Sequence, residues 1–305
     1  MKNVLVTGSN GFIGQWLCKA LLSSGYNLKK HVRVINPNDD CEQFECDLEK
    51  KSFPEEALEN IDVIYHLAGL AHDTNKSAFS DKQYYKVNVD AVLQIAAIAV
   101  RKKVKQFVFV SSVKAGGKAY EDCSDENNQT DPKGVYAFTK RKAEIKLLKL
   151  GLESSMHITI IRPALVYGPE MGGNLRLMLS SIKNGWFPPL PKLRNKRSMI
   201  HIDNLIDVFL LIINNKKAYD EIFIATDGVT YSSREIFEEM CKLLNKKIPN
   251  WGVPFFFFKL LGMTSGKMKH KVSKLFDDEC YSSKKLESIG FKPNRALGNM
   301  NETNF

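Results

Sequence analysis

The chain has 305 residues, 44% of them hydrophobic and 26% charged, with a net charge of +10. That is the balance of a soluble globular protein with a large core. It excludes a bilayer-spanning chain, since the most apolar run, Val253–Met263, falls short of the about 20 residues a span needs and Lys259 interrupts it.

The chain enters a β-branched run at Lys2–Thr7 directly after Met1, with no basic leader and apolar stretch, so the cytoplasm is the expected compartment. A glycine turn, Gly8–Gly14, follows. Phe12–Ser23 then carries apolar residues at helical spacing until Gly25 stops it. Strands are predicted at Leu28–Val32 and Asp62–Leu67, a helix over Tyr84–Arg101 and a strand at 106–112. A second long helix is predicted over Val135–Leu150, and a strand at 157–163. Continuous apolar strands alternating with helices predict a parallel sheet covered on both faces.

After Pro163 the rhythm changes. Loop-rich Gly168–Gly173 and Gly185–Pro191 flank a helix, Ser198–Ile202 reads as a strand, Asn204–Asn214 as a helix and 221–226 as a strand. From Ser232 onward the pattern is mainly helical. Residues 1–167 are expected to form one domain, to which about 200–226 returns, and 168–199 with 227–305 a smaller lobe.

The positive charge invites a nucleic-acid hypothesis. The lysines are spread out, however, and the densest stretch, Lys192–Arg197, is short, so a phosphorylated small molecule explains it as well and no nucleic-acid partner is expected. Cysteines 18, 41, 46, 123, 241 and 280 lack any C-x-x-C and are expected to be reduced structural thiols. Neither they nor the six histidines show metal-ligand spacing, so no metal site is expected.

The stretch "VLVTGSNGFIGQWL" sets Gly8, Gly11 and Gly14 between a strand and a helix. Small residues there let the backbone approach a pyrophosphate seated on the outward-pointing amides of the helix N-terminus, and Gly14 lets helix and strand pack closely. In "YAFTK", Tyr136 and Lys140 stand at i and i+4, on one face of the predicted helix. An ammonium beside a phenol stabilises the phenolate and would lower its pKa from about 10 toward neutrality, making Tyr136 a proton acceptor. The pair lies about 24 residues past Ser111 and Ser112, which end a strand.

The T-G-x-x-G-F-I-G turn, "ECDLEK" (45–50), "YHLAG" (65–69), "NVDA" (88–91) and Y-x-x-x-K, in this order, resemble the extended branch of the short-chain dehydrogenase/reductase superfamily, over nearly the whole chain. The fold this implies is α/β: a Rossmann-type doubly wound parallel sheet with a smaller mixed, mainly helical C-terminal lobe for a nucleotide sugar. The cofactor implied is NAD(H) or NADP(H), held by Gly8, Asn10, Gly11, Phe12, Ile13, Gly14, Arg33, Asp47, Leu48, Leu67, Ala68, Gly69, Asn88, Tyr136, Lys140 and Pro163. Asp47 would bond the adenine amino group and Lys140 the nicotinamide ribose. The resemblance makes Ser112, Tyr136 and Lys140 catalytic, with Ser112 donating to the reacting oxygen and Ser111 supporting the backbone. It implies a homodimer through a helix pair.

"IRPALVYGP" (161–169), "GGNLRLML" (172–179), "NKRSMIHIDNL" (195–205) and "KKLESIGFKP" (284–293) extend the resemblance, while 294–305 departs from it. By that match Asn174 and Arg197 bind a sugar-nucleotide diphosphate beside Ser112. Gly116 stands where the family usually has a tyrosine. Val113-Lys114 follow Ser112 where sugar-nucleotide dehydratases carry Asp-Glu, so elimination of water is not expected.

Oxidoreduction at C4 of a UDP-sugar is then expected. The first reading is NADPH-linked reduction of a UDP-4-keto-6-deoxy-N-acetylhexosamine in surface polysaccharide synthesis. The second is a UDP-glucose or UDP-N-acetylglucosamine 4-epimerase with tightly held NAD; the third is a cofactor-binding regulator without turnover. The choice leans on "HVRV" (31–34), where Val32 takes the place of the ribose-binding acid and Arg33 can partner the 2′-phosphate of NADP. The run Val253–Met263, followed by Lys267, Lys269 and Lys271, is read first as a packing helix and second as a membrane-surface helix.

Overall fold

A computed structural model describes residues 2–71, 79–117 and 123–299; the tail from 300 on and the side chains of Lys267, His270 and Asn299 lie outside what is described. In chain order the strands are β1 (Asn3–Thr7), β2 (Asn27–Val32), β3 (Glu42–Glu45), β4 (Val63–His66), β5 (Gln106–Val110), β6 (His157–Pro163), β7 (Leu165–Tyr167), β8 (Arg197–His201), β9 (Glu221–Ala225) and β10 (Thr230–Tyr231). The helices are α1 (Phe12–Ser23), α2 (Asp81–Tyr85), α3 (Ala91–Arg101), α4 (Val135–Leu152) and α5 (Gly173–Lys183), then α6 (Ile202–Ile212), α7 (Ser233–Leu243), α8 (Phe255–Met263), α9 (Gly266–Phe276) and α10 (Lys284–Ser288).

Seven strands form one parallel sheet in the order β3-β2-β1-β4-β5-β6-β9. Its central strands β4 and β5 are buried at every residue and β1 at all but its first, as their apolar runs require. One face packs Leu17 and Leu21 of α1 against Leu205, Phe209 and Ile212 of α6. The other packs Val92, Ile95 and Ala99 of α3 against Ala143 and Leu147 of α4. The strand order reverses between β1 and β4, and a doubly wound sheet opens its ligand crevice at the carboxyl ends of the strands flanking that point.

The C-terminal region has its own three-stranded mixed sheet, with β8 parallel to β7 and antiparallel to β10, and its own apolar cluster around Met178, Met199, Phe237 and Phe258. The chain returns from β8 through α6 to β9, which pairs with β6 at the edge of the large sheet. Among the described residues no helix is long and apolar enough to cross a membrane, and no cluster of His, Cys, Asp or Glu could hold a metal ion.

Two predicted elements differ in detail. The helix expected over Tyr84–Arg101 is α2 and α3 joined by a π-helical turn at Lys86–Asp90, which carries the buried Asn88. The helix expected to begin at Asn204 begins at Ile202, because His201 Nδ1 accepts from the Asp203 amide at 3.2 Å and caps it there.

Candidate active site

The glycine turn is a cradle. Gly8 has φ +70°, and a Cβ on it would lie 2.8 Å from the Ala68 amide nitrogen. A Cβ on Gly14 would come within 2.2 Å of the Gly8 carbonyl oxygen, so only glycine lets α1 start this close to β1. The Gly11 amide donates to that same oxygen at 3.0 Å. Gly11 is the N-cap of α1 and supplies no side chain, so the first amides of the helix, at Phe12, Ile13 and Gly14, are left for an anion. Asn10 and Gly11 are exposed beside them.

On the adenosine side Val32 is buried and Arg33 exposed at the end of β2. The Cys46 amide donates to the Val32 carbonyl at 2.9 Å, which sets Arg33 alongside Asp47. Burial opposes the Asp47 carboxylate, but the Glu49 amide, Lys50 and, at longer range, Arg33 hold its pKa below the usual value. Leu48 is buried next to it.

Leu67, Ala68 and Gly69 leave the end of β4, where the Leu67 and Ala68 amides donate to the Thr7 carbonyl and hydroxyl at 3.2 and 3.3 Å. Asn88 fixes the next residue, accepting from the Leu70 amide at 2.8 Å and donating to the Leu70 carbonyl at 3.0 Å. A Cβ on Gly69 would stand 3.0 Å from Asn88 Oδ1 and 3.3 Å from Lys140 Nζ, so glycine here lets both polar side chains approach the loop. Pro163 ends β6 across the crevice.

Ser112, Tyr136 and Lys140 come together. Ser112 accepts from the Lys114 amide at 3.2 Å, and its hydroxyl is hydrogen-bonded to the Tyr136 phenol. The Ser111 amide donates to the Ile161 carbonyl at 2.8 Å, while its buried hydroxyl has no partner among the described residues. Lys140 is buried; its ammonium donates to the Val110 carbonyl at 2.9 Å and lies 4.7 Å from the centre of the Phe109 ring.

One expectation reverses. Burial pushes the Tyr136 phenol above its ordinary value, and the Ser112 hydrogen bond counters this only in part. Lys140 does not lower it, because its ammonium is turned to Val110 and burial brings its own pKa down to about 8.

That value has a stability consequence with a definite sign. Below pH 8 both folded and unfolded chains hold the Lys140 proton, and the cost of burying it is present in full. As pH rises from about 8 toward 10.5 the folded chain sheds the proton first, and stability rises. Lys140→Met is therefore expected to be inactive yet more stable than the wild type at pH 7, by about 2 kcal/mol of the roughly 3 that such a shift represents. Urea denaturation at pH 7 and pH 10 checks it, since the advantage shrinks at the higher pH.

Of the expected substrate residues, Asn174 is exposed in the first turn of α5. Arg197 is buried, donating to the carbonyls of Lys274 at 2.5 Å and Asp277 at 3.4 Å and to Glu279 at 3.3 Å. Glu279 also pairs with Lys114, two residues past Ser112. This carboxylate thus ties the catalytic loop to the expected diphosphate arginine; as the last of three successive acids, Asp277-Asp278-Glu279, it carries no signal of its own in the sequence.

The expectation of reduced thiols fails at two positions. Cys123 and Cys280 form a disulfide, brought together by the bridge between Ser124 and Tyr281. The other four cysteines are free.

An open cleft of about 820 Å³ lies beside the glycine turn, lined by Phe12, Gln15, Glu170, Met171 and Arg176; it adjoins the cradle but not Tyr136. The uncapped α1 amides, the two glycines that admit no Cβ and the Asn88–Lys140 corner fit a dinucleotide. When bound, it supplies a nicotinamide that takes up and returns a hydride.

The model of the NAD dependent epimerase/dehydratase family matches residues 4–225. The chain belongs to that family. It is an enzyme that uses a nicotinamide dinucleotide. It is similar to the UDP-glucose 4-epimerase of Vibrio cholerae, with 34% identity over 97% of this chain and 92% of the relative. It also resembles the N-acetyl-α-D-glucosaminyl-diphospho-ditrans,octacis-undecaprenol 4-epimerase of Escherichia coli O157:H7, with 28% identity over 95% and 90% of the two chains. In fold it is similar to the UDP-glucose 4-epimerase of Thermus thermophilus in complex with NAD, with a TM-score of 0.76 and 20% identity over 96% and 94% of the chains.

Proposed function

We propose that this family member is a 4-epimerase of a UDP-sugar. The observation that carries the reading is the near-complete match to a UDP-glucose 4-epimerase in a chain that retains Ser112, Tyr136 and Lys140 together. Tyr136 takes the proton of the C4 hydroxyl and gives it back, Ser112 donates to the same oxygen, and Lys140 holds the ribose next to the nicotinamide. Asn174 and Arg197 hold the diphosphate, with Glu279 yielding Arg197 to it. The sugar turns between the two hydride transfers, so no external reductant is consumed.

The test is incubation with UDP-glucose and UDP-N-acetylglucosamine, without added NADPH and with products identified by NMR. Undecaprenyl-linked N-acetylglucosamine diphosphate, named for the Escherichia coli relative, forms a further arm. Appearance of the C4 epimer supports the reading. No conversion without NADPH, but reduction of a UDP-4-keto-6-deoxy-N-acetylhexosamine with it, overturns the reading in favour of the reductase.

That reductase reading stands second, and the observation favouring it is Val32 beside the exposed Arg33. Arg33→Asp is expected to lower the affinity for NADP relative to NAD by at least about tenfold, consistent with loss of one charge-assisted phosphate contact. Fluorescence titration of both dinucleotides measures it. The homodimer is proposed to form through α4, whose exposed Phe138, Ile145 and Leu152 recur every seven residues. Light scattering of the eluted protein reads its mass.

A further inference from the structure

We propose that the outer face of α8 is a docking surface for an anionic lipid bilayer. The proposal goes beyond the 4-epimerase reading and does not depend on it. Only Phe258 and Gly262 of this nine-residue helix are buried, against Phe276 and Val272 of α9. Around the rest, Phe256 is 66% exposed, Phe257 56%, Leu260 52% and Met263 78%. This is a contiguous apolar face on one element, unlike the single exposed hydrophobics that any surface carries. Trp251, 63% exposed, stands just before the helix, and an indole with an apolar body and a polar N–H suits the headgroup layer.

Charge decides between occupants. Residues 247–276 contain six lysines, at 247, 259, 267, 269, 271 and 274, and no Asp or Glu. Lys259, Lys269 and Lys271 are exposed on α8 and α9. A second copy docked through this face on a two-fold axis would set one carboxylate-free, lysine-rich surface against another. Anionic headgroups supply the missing opposite charge while the acyl boundary takes the phenylalanines. The helix is about 14 Å long at 1.5 Å per residue, so it lies in the plane of the bilayer rather than across it.

The hairpin is also fixed to the catalytic region. Arg197 donates to the carbonyls of Lys274 and Asp277 at the end of α9, so a bilayer under α8 has a set orientation relative to the proposed diphosphate site.

The full chain is floated with vesicles of phosphatidylcholine containing about three parts in ten phosphatidylglycerol, and with phosphatidylcholine alone, in the absence of any substrate. It is expected to float with the anionic vesicles and not with the neutral ones. The double variant Phe256→Glu, Phe257→Glu is expected to reduce the bound fraction at least about tenfold. Its melting curve and UDP-sugar turnover should match the wild type; should it fail to fold, Leu260→Ser with Met263→Ser replaces it. Wild type that stays off anionic vesicles, or a folded variant that floats equally well, overturns the proposal. So does a wild-type oligomer that the variant converts to monomer while neither floats, which would make the face a self-association surface.

Discussion

Tyr136→Phe is expected to lower turnover by about 10²- to 10⁴-fold, the usual worth of a positioned proton-transfer group. Dinucleotide affinity should stay within a factor of about two, because the cradle of Gly8, Gly11 and Gly14 does not use the phenol. Ser112 already spends an acceptor position on the Lys114 amide and cannot replace the missing base, since a serine hydroxyl does not ionise near neutral pH. The raised Tyr136 pKa makes a second expectation. Activity of the wild type should climb with pH above neutrality, as deprotonation of the phenol is the scarce event, and should plateau only where that event is complete. Stopped assays of epimer formation across pH, with parallel dinucleotide titrations, measure both. A Tyr136→Phe enzyme with wild-type turnover would remove Tyr136 from the mechanism.

Glu144→Ala is expected to cost about 3–5 kcal/mol of folding stability, a large share of the roughly 5–15 a domain has to spare. Glu144 lies one turn past Lys140 on α4 and holds Arg162 of β6 through two hydrogen bonds, of 2.9 and 2.5 Å, with both side chains about 1% exposed. Arg162 Nη1 is already buried without a partner among the described residues, so removing the carboxylate strands the whole guanidinium. Replacing both residues by apolar ones, as in Glu144→Leu with Arg162→Met, should recover most of the loss, because a buried pair is worth little relative to good apolar packing. Urea denaturation followed by circular dichroism checks both variants. A loss below about 1 kcal/mol in the single variant would mean that water reaches the pair.

The large sheet was legible because its strands are buried on both faces and therefore read as continuous apolar runs, as "QFVFV" and "HITIIRP" do. The same physics hid β3: "EQFE" is a four-residue edge strand with two exposed glutamates and no apolar run. β10, at two residues, is below any periodic signal. The glycine turn and the Tyr136–Lys140 spacing are local patterns, so they survive in the sequence. What Lys140 and Arg197 actually touch does not, because Val110, Lys274 and Glu279 are brought to them by tertiary folding. The disulfide was invisible for that reason too, its cysteines being 157 residues apart.

The packing of α1 against α6 sets a timetable for biosynthesis. Tyr65 donates to the Phe209 carbonyl at 2.6 Å and Gln106 to the Ile212 carbonyl at 3.0 Å, so the face of the sheet that carries α1 closes only when α6 exists. A ribosome adding about 5–20 residues per second takes roughly 5–20 s to travel from the end of β5 to the end of α6. During that interval Val4, Leu17, Leu21 and Tyr65 lack the cover that α6 gives them. Products truncated before residue 212 should accordingly be insoluble, although the glycine cradle and most strands of the sheet are already complete in them.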